Sequence, residues 1–157
     1  MKEKIKSYAF FILSALAVGG LSAFFTRNNM DINNDLLIPP LSPPPILFPI
    51  VWSILFILMG ISAAMIYNSD APKSQKNTAL NIYALSLAVN FSWNIIFFNL
   101  RAFGFAFFWL LLLLFLIILT IIKYFKIQKI AAYLQIPYAL WVTFAGYLTA
   151  GIWWLNR

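Results

Sequence analysis

Three tryptophans lie well inside apolar stretches of this chain: Trp52, Trp93 and Trp141. Trp52 belongs to an aromatic series, Phe48, Trp52 and Phe56, spaced i, i+4, i+8. Ser86, Asn90 and Asn94 repeat the same spacing with polar groups, beside Trp93 and Phe97. In a helix that spacing stacks side chains along one face. Trp141, Phe144, Ala145 and Leu148 also share a face. Aromatic faces stack on planar apolar molecules and a few amides orient them, so the chemistry on offer is binding, by stacking and hydrogen bonding. For the polar series two readings stand: interhelical hydrogen-bond glue, or the polar patch of an internal pocket.

Other chemistries are absent by composition. The chain has no cysteine and no histidine, so disulfides, thiolate nucleophiles, zinc sites and histidine catalysis are ruled out. A haem would lack a His or Cys axial ligand. The four acids are Glu3, Asp31, Asp35 and Asp70, and no ionisable residue falls inside an apolar stretch away from its ends. That disfavours proton-coupled transporters and ion pumps. No Walker sequence, metal-ligand cluster or nucleophile–base pair is present.

The elements that carry these residues must lie in a membrane. Of 157 residues, 63% are hydrophobic and 10% charged, against about 45–50% and about 25% in soluble domains. So short a chain cannot hide that much apolar surface from water. A soluble enzyme, a disordered chain and a nucleic-acid-binding domain are thereby excluded, despite a net charge of +7. Five apolar segments, about 7–26, 47–67, 80–100, 103–122 and 130–154, are each near the ~20 residues that cross a bilayer core. The expectation is an all-α integral membrane bundle of five helices, one domain over 1–157, with the bilayer as partner and no nucleic acid. The first segment follows Lys2, Lys4 and Lys6 but is too long for a signal sequence, and reads as an uncleaved span.

Lysines and arginines set the direction. Lys2, Lys4, Lys6, Lys73, Lys76, Lys123, Lys126 and Lys129 fall on one side, and Arg27, Arg101 and Arg157 on the other. The positive-inside rule places the N-terminus in the cytoplasm and the C-terminus outside. Small residues four apart, Ala15/Gly19/Ala23 and Ala84/Ala88/Ser92, let helices approach closely, within one chain or across a homodimer. The first loop, 27–46, holds five of the eight prolines within residues 39–45. It is expected to be stiff, extended and non-helical, as a rigid connector or as a lid over a pocket. Pro49 falls in the first turn of the second span, where proline is tolerated. Pro137 is expected to kink the fifth span. Trp153 and Trp154 read as interfacial anchors, and the fourth span as the most lipid-like and least functional.

Pro39-Pro40-Leu41-Ser42-Pro43-Pro44, Phe48-Pro49-Ile50-Val51-Trp52-Ser53-Ile54-Leu55 and Leu58-Met59-Gly60-Ile61-Ser62-Ala63 resemble the signature of the tryptophan-rich sensory protein/translocator protein (TspO/MBR, peripheral benzodiazepine receptor) family. Asn90-Phe91-Ser92-Trp93-Asn94 with Phe97-Phe98 resembles its third-span motif. Ala131-Ala132, Pro137-Tyr138, Trp141-Val142 and Phe144-Ala145 through Ile152-Trp153 resemble its fifth. The resemblance implies a five-helix bundle, often homodimeric, with a pocket under the first loop that takes porphyrins, haem and benzodiazepine-type ligands and requires no cofactor or metal. Carried over residue by residue, the ligand-binding positions are Phe48, Trp52, Phe56, Asn90, Trp93, Asn94, Phe97, Trp141, Phe144, Ala145 and Leu148. Some bacterial relatives degrade protoporphyrin in light. That activity, if the resemblance extends to it, implies Trp52 and Trp141 as the catalytic pair. The chain departs from the family pattern at Ile32-Asn33, where Trp-Tyr is frequent, at Pro45-Ile46 in place of Gly-Trp, and at Leu148-Thr149 in place of Leu-Asn. The sterol motif needs a basic residue within about five positions of its tyrosine. After Tyr147 the next is Arg157, so the motif fails.

Overall fold

The computed structural model describes residues 1–31 and 35–157; Ile32 and Asn33, where the family pattern is broken, lie outside the described residues. Five long helices follow one another: α1 (Lys2–Thr26), α2 (Leu47–Tyr67), α3 (Lys73–Asn94), α4 (Phe103–Phe125) and α5 (Lys129–Leu155). No strand occurs among the described residues. The chain is an all-α bundle, and four of the helices are long and apolar enough to cross a membrane.

Helix α5 is long enough, with 27 residues, but Tyr133, Gln135, Tyr138, Thr143, Tyr147 and Thr149 dilute its hydropathy. Part of that polarity is enclosed: α5 packs against α2 and α4, and Gln135, Tyr138 and Thr149 are buried. Polar groups in a membrane helix must be satisfied inside the bundle. Accordingly Gln135 Nε2 donates to Ser62 Oγ (3.2 Å), which donates to the Ala131 carbonyl (2.7 Å), joining α5 to α2. The helix runs unbroken through Pro137.

α2 matches its expected span, while the other helices extend past one or both ends of theirs, because backbone hydrogen bonding does not stop where the hydrophobic stretch does. α3 starts at Lys73 rather than 80, directly after Pro72, whose φ of −53° and extended ψ end the preceding turn. A π-helical turn, Ile95–Asn99, closes that span. At one end of the bundle Asn68 Nδ2 donates to Ser7 Oγ (2.8 Å), and Lys76 Nζ donates to the carbonyls of Tyr67, the last residue of α2, and of Ser69 just beyond it. The lysine-bearing start of α1 thus meets the α2–α3 turn. At the opposite end Asn29 and Asn99 pair through their amides (2.8 Å).

α1 and α2 are in close backbone contact at Gly60. A Cβ there would overlap the backbone of Ile12. The first small-residue stripe is used within this chain: Ala15 is fully buried, and Gly19 lies under the Phe56 ring. Ala84 and Ala88 of the second stripe point outward.

Candidate functional site

A cavity of about 510 Å³ opens between α1, α2, α3 and α5 beneath the first loop. Ten of the eleven sequence-predicted positions line it: Phe48, Trp52 and Phe56 from α2, Asn90, Trp93 and Asn94 from α3, Phe97 from the π-turn, and Trp141, Ala145 and Leu148 from α5. The eleventh, Phe144, does not. It lies in a separate apolar groove on the outside of the bundle with Val51, Ile54, Leu58 and Leu140. One residue advances a helix by about 100°, so Phe144 and Ala145 diverge, and Ala145 takes the cavity side. No lining residue comes from α4, in line with its lipid-like sequence.

The walls are aromatic and interlocked. Trp93 stacks on Phe97 with centroids 5.0 Å apart and planes 22° apart. Phe48 meets Trp141 edge-on at 5.8 Å, and Trp52 contacts both Phe56 (5.6 Å) and Tyr138 (6.1 Å). Trp93 is held in place by a bond from Nε1 to the Ala106 carbonyl of α4 (3.0 Å). α4 therefore serves the site from behind.

Of the three stacked polar residues, only Asn90 bridges helices: Nδ2 donates to Tyr138 Oη on α5 (2.7 Å), and both residues are buried. Ser86 donates to the Tyr83 carbonyl and Asn94 to the Asn90 carbonyl, both within α3. Asn90 is at once interhelical glue and cavity wall, so the two readings of its face are compatible. Among the described residues, the cavity lining carries no charged side chain.

Sequence reasoning missed the α1 wall. Leu16, Gly19, Gly20, Ser22 and Ala23 all line the cavity. The signal was there, since 16, 19, 20 and 23 follow the i, i+3, i+4, i+7 pattern of one helix face, but small residues at that spacing read equally well as packing. Here they make room.

The roof is the proline loop. It is not uniformly extended: Ser42 Oγ donates to the Pro39 carbonyl (2.7 Å), and Leu41 between them has φ of 70°. Two further bonds, Leu47 N to Pro44 O and Phe48 N to Pro45 O, turn the chain into α2. Proline can fix φ but does not stop the residue between two prolines from turning. The loop is fastened to the end of α5. Asn156 both accepts from Leu37 N (2.9 Å) and donates to Leu37 O (2.8 Å). Tyr147 Oη donates to the Pro40 carbonyl (2.7 Å), and Pro39 seats against Gly151, where an added Cβ would come within 2.6 Å of it. Arg101, itself at φ of 50°, pairs with Asp35 at 2.9 Å. Ile38, Ser42, Pro43 and Pro45 of this loop face the cavity.

The described residues form a five-helix membrane bundle around an aromatic cavity with a proline-rich roof. The sequence matches the TspO/MBR family over residues 10–155, and the chain belongs to that family. It is 34% identical to the tryptophan-rich protein TspO of Chlorobaculum tepidum over 157 residues, covering 99% of each chain. It is 31% identical to the protein CrtK of Rhodobacter capsulatus, covering 95% of this chain and 92% of that one. To the translocator protein of Bos taurus it is 31% identical, covering 98% and 91%.

Proposed function

We propose that the protein is a membrane receptor, sensor or carrier that binds porphyrin-type tetrapyrroles such as protoporphyrin IX or haem in this cavity. The observation that carries the reading is the convergence of Phe48, Trp52, Phe56, Trp93, Phe97 and Trp141 on one uncharged space of about 510 Å³, within the roughly 300–1,000 Å³ of small-molecule pockets. Stacking on the rings holds the macrocycle, and the Asn90 amide orients it. With no His or Cys in the chain, haem would bind as a planar molecule rather than through a strong axial bond. Titration of the purified protein with protoporphyrin IX in the dark, following tryptophan quenching and the Soret band, is expected to saturate. Affinity is expected to fall on Trp52→Ala and Asn90→Ala; unchanged affinity in both would overturn the reading.

A second reading, light-dependent oxidation of the bound porphyrin by dioxygen with Trp52 and Trp141 taking part, is favoured by one feature. The Trp141 Nε1 is buried without a hydrogen-bond partner, on the wall where such a ligand would lie. It predicts a new absorbing product under light that Trp141→Phe abolishes. Bleaching at the rate of porphyrin in empty detergent would count against it. A third, facilitated movement of the ligand across the bilayer, predicts liposome flux above that of empty vesicles.

The proposal includes a direction and an assembly. The lysine-rich end faces the cytoplasm, with the C-terminus outside, by the positive-inside rule; protease access to the two termini in sealed vesicles tests it. A homodimer through the outward Ala84/Ala88 stripe is tested by the mass of the detergent-solubilised protein, with Ala88→Trp expected to yield monomer.

A further inference from the structure

Ser22 of α1 is the exception among the buried serine and threonine hydroxyls of the described residues; the Tyr83 and Tyr124 hydroxyls are also buried without a partner, but neither residue lines the cavity. Ser7, Thr26, Ser62, Ser86, Thr120 and Thr149 are buried, and each donates to a backbone carbonyl at 2.6–2.8 Å. Ser22 is 4% exposed, and its Oγ has no partner. The ordinary remedy in a helix is a bond to a carbonyl one turn back, which Thr26 takes by donating to the carbonyl of Ser22 itself (2.8 Å). Ser22 makes no such bond. An unsatisfied buried hydroxyl is costly, and more so in a membrane interior.

Its position says what would satisfy it. Ser22 lines the cavity on the α1 wall, one turn from Gly19, whose missing side chain leaves the Phe56 ring room beside it. A change of rotamer about Cα–Cβ, a turn of about 120° between staggered positions, redirects such a hydroxyl oxygen without moving the backbone. We propose that Ser22 is a specificity-determining residue of the cavity, donating a hydrogen bond to an acceptor on the edge of the ligand, so that a macrocycle carrying carboxylate or carbonyl edges is preferred over one with alkyl edges alone. The proposal rests on the porphyrin reading of the site and adds to it the chemistry of the ligand's rim. Donation to an ionised carboxylate is the stronger form of such a bond.

The test compares two porphyrins on the full chain and on Ser22→Ala: protoporphyrin IX, which carries two carboxylates, and etioporphyrin, whose rim is alkyl. Ser22→Ala is expected to weaken protoporphyrin IX about five- to tenfold and to leave etioporphyrin within about twofold. The melting temperature of the ligand-free protein should hold or rise, since the substitution removes an unpaired polar group. Equal losses for both ligands, or a fall in melting temperature, would show that Ser22 serves packing and would overturn the assignment alone. If neither porphyrin binds the unsubstituted protein saturably, the porphyrin reading falls and this assignment with it.

Discussion

Asn90 of α3 and Tyr138 of α5 are joined at 2.7 Å between two buried groups, directly beside the cavity that both helices wall. Trp52 rests its ring edge-on against Tyr138 at 6.1 Å. The same bond therefore ties two helices together and sets the floor on which an aromatic wall residue stands.

Removing one partner strands the other. Tyr138→Phe should destabilise the bundle by about 1–3 kcal/mol, the penalty for a buried amide donor left unpaired. Asn90→Leu with Tyr138→Phe should cost less than the two single losses added together. Thermal unfolding in detergent, run as a double-mutant cycle, measures the coupling; additive losses would mean the bond contributes nothing of its own.

Two glycines that look alike in sequence should respond differently. At Gly60 an added Cβ meets the Ile12 backbone, which cannot move without parting α1 from α2. At Gly19 it meets the Phe56 ring, which can swing toward the cavity. Gly60→Ala is expected to lower the melting temperature clearly. Gly19→Ala should leave stability close to unchanged while lowering porphyrin affinity, because the displaced ring occupies ligand space.

The loop fastening predicts a kinetic effect. Gly151→Ala favours the helix by roughly 1 kcal/mol in propensity, yet it pushes Pro39 out of its seat. Asn156→Ala removes both bonds to Leu37. Each should speed ligand dissociation in stopped-flow, and each should raise proteolysis within 35–46. Asp35→Asn, which breaks an exposed ion pair worth about 0–1 kcal/mol, should do so far less.

Phe48 and Phe144 both touch the Trp141 ring, at 5.8 and 5.6 Å, but only Phe48 lines the cavity. Phe48→Ala should weaken porphyrin binding by about tenfold, an aromatic contact's worth, and Phe144→Ala by less than about threefold. Matching losses would place the ligand against the outer groove instead.

Much of this molecule is legible from residue order. Apolar length and the lack of internal charge require a membrane bundle, whatever the loops do, because backbone and side chains must be satisfied without water. The spacing of Phe48, Trp52 and Phe56, and of Asn90, Trp93, Asn94 and Phe97, puts each set on one side of its helix, and one side of a buried helix faces one space.

The tertiary structure decided which space that is. Periodicity places Phe144 with Trp141, yet as α5 docks Phe144 lines the outer groove while Thr149 and Ile152 line the cavity. Small residues on α1 and α3 have the same spacing, but Gly19 is absorbed by Phe56 while Ala88 remains outside. The hold of Asn156 on Leu37, 119 residues apart, and the isolation of the Ser22 hydroxyl depend on which neighbour arrives within about 3 Å. Local sequence specifies faces and lengths; hydrogen-bond partners and voids are set only when distant helices dock.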